Sequence, residues 1–355
     1  MAFVRSSCVL AVTFLLGAAC GSPAPAASDA ALTDAGTAID ASMDAPIDAS
    51  VDAPLDASLD APVDTSADAS PDASLDASPA DAGADATPDD PLEIRIVTAN
   101  LTSGNNQRYE APGIRILQGL RPDIVLMQEF NHGDNQAATM RAFVDSTFGT
   151  TYDFFRESAV GIPNAVISRY PILEAGVFDD PTLTDRELVW ARIDVPGDKD
   201  LWAISVHLKA SAGSSSTRQA EAVALVVAVR AKIPEADYLV IGGDLNTQSL
   251  REPCLSELAQ LVAVGEPFPV DQLGDRDSNG GRSRPYDWVL FDAELSPLEI
   301  PVVVGASTYA HGLVFDSRVY TPLSEASPVL VDDSGVTGMQ HMAVVRDVRL
   351  PAPLR

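Results

Sequence analysis

From residue 92 onward the chain alternates short apolar runs with longer stretches in which apolar residues recur every three or four positions. Continuous or alternating apolar runs read as strands, and the 3.6-residue period reads as helix. Leu92–Ala99 reads as a strand, Pro112–Leu120 as a helix, Asp123–Gln128 as a buried strand, and Gln136–Phe148 has helical spacing. Strands follow at Ala165–Ser168, Glu187–Val195 and Leu201–Leu208. Thr217–Ala231 is an amphipathic helix with Gln219 and Glu221 in its first turn, and strands at Tyr238–Gly242, Asp287–Phe291 and Met342–Arg349 complete the outline. Strands of both buried and half-exposed pattern, interleaved with helices, predict an α/β layered domain over residues 92–355.

Ahead of that domain the pattern is of another kind. From Asp40 to Asp76 an aspartate stands at every fourth position, ten in all, and the repeat runs on out of phase through Asp81, Asp85 and Asp89. A four-residue period broken by prolines builds neither heptads nor a strand face, and there is almost nothing large to bury. Residues 21–91 are therefore expected to form a disordered, self-repelling Asp/Ala-rich stalk. At ~3.1 to 3.4 Å per residue it would reach at most roughly 220 to 240 Å, enough to hold a domain away from a membrane. Calcium buffering by the spaced carboxylates is the lesser reading, because carboxylates on a mobile chain bind weakly.

At the N-terminus, Arg5 precedes an apolar run from Val9 to Ala19, followed by Cys20, Gly21 and Ser22. Such a run is too short to span a bilayer as a permanent helix and fits the core of an export signal. Gly17, Ala18 and Ala19 before Cys20 resemble the lipobox of bacterial lipoproteins, in which the cysteine is lipidated and becomes the new N-terminus; that pattern usually has a larger aliphatic residue where Gly17 stands. Residues 1–20 then form a signal peptide with lipobox-like Cys20, and a plain secretory signal cleaved near Ala19 or beyond is the alternative. Both predict export: an outer-membrane or cell-surface lipoprotein if Cys20 is acylated, a periplasmic or secreted protein otherwise. With Cys8 removed and Cys20 acylated, Cys254 is alone in the folded part, which leaves no disulfide framework and no cysteine metal site.

The formal charge of −28 is unevenly spread. Residues 1–91 carry 16 of the 51 acids and one of the 23 bases, leaving 35 acids, 22 bases and a net −13 for the remainder. An acidic body argues against a protein that coats duplex nucleic acid by counterion release, although a local basic patch still permits phosphate binding.

Chemistry enters where the predicted strands end. In Tyr238 to Gln248, Y-L-V-I-G-G-D-L-N-T-Q, an apolar strand runs into an acid and an amide one residue apart. Residues two apart on a strand end project to one side, so Asp244 and Asn246 would face one ligand, and Gly242 and Gly243 let the backbone bend or approach it closely. A carboxylate beside an amide suits a hard cation, a phosphoryl oxygen or a water that must lose a proton; an ordinary turn at the strand end is the plain alternative. Polar residues stand at the ends of other strands too: Asn100 after the first, Glu129 after P-D-I-V-L-M-Q, His207 in W-A-I-S-V-H-L-K, and, at strand starts, Asp287 in R-P-Y-D-W-V-L and His341 in M-Q-H-M-A-V-V.

Taken in this order, these motifs resemble the endonuclease/exonuclease/phosphatase superfamily, the DNase I-like fold, over almost all of residues 92–355. The resemblance implies a four-layer α/β/β/α sandwich of two packed, mostly antiparallel sheets, with a phosphoesterase site where strand ends converge. Glu129 then looks like the principal ligand of Mg²⁺ or Mn²⁺ with Asn100 beside it. Asp244 resembles the residue that orients and deprotonates the attacking water, and it is counted as a metal neighbour too. Asn246 resembles a phosphate donor, Asp287 and His341 an acid and imidazole pair, and His207 a second histidine near a phosphate oxygen or the leaving group. The segment Gly161 to Ile172 resembles the family's strand before its central hairpin, with Asn164 facing the site.

The family usually has Ser-Asp-His before its last strand, and Met339, Gln340 and His341 stand there instead. Gln340 offers the metal side a hydrogen-bonding amide without charge. Arg276, Arg282 and Arg284 precede Asp287 in a Gly-rich loop, so Arg282 and Arg284 are candidates for contact with substrate phosphates. Asp275, Asp277, Asn279 and Gly280 imitate the start of a calcium loop, but Tyr286 replaces its closing glutamate and a flexible turn is expected. His132 and His311 fit no motif and are read as loop residues. The expectation is an exported, metal-dependent phosphodiesterase, monomeric and anchored to a membrane through Cys20. A nuclease is its first substrate reading, a sphingomyelinase-like or other phospholipid or small phosphoester hydrolase the second, and a binding module that has lost turnover the third.

Overall fold

The computed structural model describes residues 91–104, 107–158 and 161–352. The export signal, Cys20 and the stalk lie outside the described residues.

The chain runs β1 (Leu92–Ala99), α1 (Ala111–Leu120), β2 (Ile124–Met127), α2 (Ala137–Thr147), β3 (Asp153–Arg156), β4 (Ala165–Ser168), β5 (Ile172–Phe178), β6 (Leu188–Ile193) and β7 (Leu201–His207). It continues through α3 (Ser215–Lys232), β8 (Tyr238–Asp244), α4 (Pro253–Leu258) and β9 (Asp287–Phe291). Short strands β10 (Glu299–Ile300), β11 (Val302–Val304), β12 (Ser307–Tyr309) and β13 (Leu313–Phe315) precede β14 (Ala343–Leu350).

The strands form two large sheets. One is seven-stranded in the order β10-β14-β1-β2-β4-β3 with β13 also on β14, the other five-stranded in the order β5-β6-β7-β8-β9, and β11 pairs with β12. Within the two sheets only β1 with β2 and β7 with β8 run parallel.

Period-two alternation builds the layers. On the five-stranded sheet Val189, Ala191, Leu201, Ala203, Val240, Val289 and Phe291 join the core shared with the other sheet. Their neighbours Leu188, Trp190, Trp202, Ile204, Leu239, Ile241, Trp288 and Leu290 turn the other way, onto Leu225, Val229, Leu255 and Leu258 of α3 and α4. Ile116, Leu117 and Leu120 of α1 and Met140, Phe143 and Val144 of α2 pack on the seven-stranded sheet. Helices outside two face-to-face sheets give the expected four layers, with strands apolar on both faces because both are covered.

Candidate active site

Strand direction brings the polar ends together. β1 and β2 run parallel and end beside one another at Asn100 and Glu129, and β14 runs against β1, so His341 just before it falls at the same end. In the facing sheet β7 and β8 run parallel and β9 runs against them, with His207, Asp244 and Asp287 directly paired across three neighbouring strands. These three continue the inward-facing series of their strands, so the row caps the core between the sheets with polar groups. All of them are buried.

Gly243 makes the approach possible. Its φ of 143° and the Val206 carbonyl oxygen occupying the place a Cβ would take leave room for glycine alone. β8 stops at Asp244; Asn246 meets it through a turn in which Asn246 adopts φ 52°, not by continuing the strand. Glu129 also has φ 52°, a conformation that costs a non-glycine side chain about 1–3 kcal/mol and recurs where function constrains the backbone.

Asp244 is the hub. Its Oδ2 receives Asn100 Nδ2 at 3.2 Å and Asn246 Nδ2 at 3.1 Å, and lies 3.2 Å from His207 Nε2 and 3.5 Å from His341 Nε2. Its Oδ1 accepts the Asn246 amide at 2.9 Å. Burial works against a charge here, but His341 and His207 outweigh it and hold the carboxyl down at about 2. His341 Nδ1 lies 3.0 Å from Asp287 Oδ2. Burial opposes its cationic form too, yet Asp287 and Asp244 on its two sides raise it to about 10. Asp287 is pushed upward by burial, with the imidazolium pulling the other way. Neutral pH therefore finds an imidazolium clasped between two carboxylates.

Asp244, Asp287 and His341 offer ligand atoms within 4.8 Å of one another, close enough for a metal ion by geometry. Their chemistry points elsewhere, because both imidazole nitrogens face carboxylates as donors and a metal would have to displace a tightly held proton. Glu129 is the better seat. It accepts from Asn100 Nδ2 at 3.3 Å, Thr102 Oγ1 at 3.1 Å and Gln107 Nε2 at 3.4 Å, and among the described residues it has no cationic partner. Beside it, Asn100 Oδ1 is buried with no hydrogen-bond partner among the described residues. An unpaired carboxylate next to an orphaned amide oxygen is a donor set that a hard divalent cation would complete.

Other expected contacts fall elsewhere. Gln340 is exposed and its side chain makes no hydrogen bond among the described residues, so it does not join the Glu129 group. Arg282 is a correction: its guanidinium lies 3.0 Å from Asp316, 2.8 Å from Asp271 and 3.4 Å from Asp275, which spends its charge inside the protein. The calcium-like run is the turn that this arginine pins. Arg284 is exposed, and among the described residues its guanidinium donates only to the Ser283 carbonyl. Asn164 is buried, its side-chain amide donating to the Glu187 carbonyl at 2.7 Å and its Oδ1 unpartnered among the described residues. His132 and His311 lie on loops.

The structure adds residues that the strand-end motifs do not reveal. Ser278 Oγ donates to Asp287 Oδ2 at 2.8 Å and accepts the Asp287 amide at 2.7 Å. Buried Arg186 donates to the carbonyls of His207 at 2.6 Å and Leu208 at 3.2 Å, and Leu208 O also takes Asn246 Nδ2 at 3.0 Å. Thr102, two residues past Asn100, is the one with a signal in the sequence, the spacing that also pairs Asp244 with Asn246. Serine nine residues ahead of a strand carries none.

A family profile described as Endonuclease/Exonuclease/phosphatase family matches residues 114–304, more than half of the chain. No curated protein matches the sequence. Among solved structures, an endonuclease/exonuclease/phosphatase from Beutenbergia cavernae aligns at 19% identity over 74% of this chain and 73% of its own, with a TM-score of 0.50. A humanized D. rerio TDP2 aligns at 16% identity over 72% of this chain and 98% of its own, TM-score 0.47, and beta toxin from Staphylococcus aureus at 14% over 71% and 99%, TM-score 0.45. At such identities the first of these speaks for the fold alone. The profile speaks for descent, because its span takes in Glu129, His207, Asp244, Asn246 and Asp287, and on that ground this chain belongs to the endonuclease/exonuclease/phosphatase family.

Proposed function

We propose that this protein hydrolyses phosphodiester bonds with the help of Mg²⁺ or Mn²⁺. The observation that carries the reading is the sharing of Asn100 between Glu129 and Asp244, which sets a cation seat beside a buried, ionised carboxylate. Glu129 and Asn100 Oδ1 would hold the cation, with Asp244 near it, and the cation would supply charge neutralisation on a nonbridging phosphate oxygen. Asp244 aligns the attacking water and draws off its proton. Among its four Oδ2 neighbours His341 is the farthest, at 3.5 Å, and is the one a water would replace. Asp287 fixes the ring orientation of His341, leaving Nε2 to donate to a phosphoryl oxygen. His207 Nδ1 is buried and unpartnered among the described residues and is the group left for the departing side, whereas Asn246, expected as a phosphate donor, gives its amide hydrogens to Asp244 and Leu208 and acts by holding Asp244.

Nucleic acid is the first substrate class and a nuclease the first reading. A phospholipid headgroup or small phosphodiester is the second, favoured by the net −13 of residues 92–355 and by Arg282, whose engagement with carboxylates subtracts a cation from the loop before Asp287. The full protein with Mg²⁺ or Mn²⁺ is offered linear DNA, RNA, sphingomyelin and bis-nitrophenyl phosphate. Turnover of at least one, abolished in folded Asp244→Ala and His341→Ala variants, is the expected result. No turnover of any with either ion would reject hydrolysis and leave a binding module.

Export and anchoring rest on Arg5, the apolar run Val9 to Ala19, and Cys20. Cys20→Ala should move the protein from the membrane to the soluble fraction. Unchanged fractionation would end the lipid-anchor proposal.

A further inference from the structure

The first turns of α3 hold buried charges that touch none of the groups around Asp244, yet reach both segments that follow the catalytic strands. Arg218 is fully buried. Its Nε and Nη2 donate to Glu252 at 3.2 and 2.6 Å, and its Nη1 donates to the carbonyls of Lys209 and Ser211 at 3.0 and 2.8 Å. Glu252 Oε1 in turn accepts the Gln248 amide at 3.0 Å. Three residues after Arg218, Glu221 Oε2 accepts the Lys209 amide at 2.9 Å.

Lys209 thus has its N–H and its C=O held by two side chains of one helix, two residues past His207. Gln248 is held through Glu252, two residues past Asn246. The stretch from Ala210 to Ser214 consists of alanine, serine and glycine and is exposed or half-exposed, so it has no apolar side chain to order it. Burying an ion pair does not by itself favour folding, and its retention is better explained by what the pair holds in place.

We propose that Arg218, Glu221 and Glu252 are positioning residues for the hydrolysis, locking the His207 and Asn246 segments so that both side chains meet Asp244. This rests on the phosphodiesterase reading above. A guanidinium can span Glu252 and two carbonyls as a planar fork, whereas an ammonium of the same charge cannot.

The test is R218K in the full chain, with R218M/E252M as the apolar replacement of the pair, each compared with the native protein. Activity is taken per folded molecule with bis-nitrophenyl phosphate, and backbone amide exchange is followed over residues 207–211 and 246–250. In R218K, kcat should fall on the order of 10-fold to 100-fold, the scale of a misplacement near 1 Å. KM should stay within about threefold, since ground-state binding is not what the pair sets. Exchange should accelerate in the two segments and not in β1 or β14, and R218M/E252M, if folded, should show the same pattern more strongly. Native kcat and native exchange in folded R218K would overturn the proposal. If the native protein hydrolyses nothing, the phosphodiesterase reading fails, and the exchange data alone decide whether the pair holds the segments.

Discussion

Asn100 Nδ2 lies 3.2 Å from Asp244 Oδ2, a hydrogen bond that crosses from the end of β1 in one sheet to the end of β8 in the other. The same amide reaches Glu129 at 3.3 Å. In the proposed function, a seat for a cation and a base for water would therefore be joined by one neutral side chain. Asn100→Ala should leave the fold intact and lower kcat on the order of 10²-fold, as misalignment of a base does. Steady-state kinetics on the folded variant decide it, and unchanged kcat would separate the two carboxylates functionally.

Thr102 holds Glu129 from the other side at 3.1 Å. Thr102→Val keeps the shape and removes the donor, and loss of such an outer hydrogen bond weakens metal binding by roughly 10- to 100-fold. Calorimetric titration with Mn²⁺ reads this directly. Equal affinity in the variant would move the cation away from Glu129.

His341 predicts how stability depends on pH. Its folded-state value of about 10 stands above the ordinary 6.5, so protonation favours the folded state. The stabilisation is complete below 6.5 and is lost as pH rises through about 10. His341→Gln should flatten the fall in thermal midpoint across that window in cation-free protein. A parallel fall in both proteins would show that His341 is not its cause.

Arg282 and Arg284 should part company under mutation. Arg282→Ala leaves the buried carboxylate of Asp271 without a cation, while Asp316 keeps Arg318 at 2.6 Å, so the cost should be about 3 kcal/mol. That should lower the thermal midpoint by roughly 10 °C. Arg284→Ala should leave the midpoint unchanged and raise KM severalfold with little effect on kcat. Melting curves beside kinetics separate them, and an unshifted midpoint in Arg282→Ala would contradict the internal role.

The layered fold was legible wherever burial on both faces wrote continuous apolar runs, as in β7 and β8, whose residues are all buried. β5 was not: it is an edge strand with no fully buried residue, and Glu174 and Gly176 within it argue against a strand locally. Asn100, Glu129, His207, Asp244 and Asp287 stood out because a polar residue ending an apolar strand is conspicuous. Ser278 and Arg186 act through contacts made only after folding, and nothing in their own neighbourhoods marks them. Arg282 misled for the same reason, since Asp316, 34 residues further on, supplies a partner that local sequence cannot show.

His207, Asp244 and Asp287 come one each from three adjoining strands at matching positions. Activity in this protein is consequently a gauge of strand alignment. A single residue inserted into β8 ahead of Asp244 would swing the carboxylate toward the helices and silence the enzyme even if the sheet still formed.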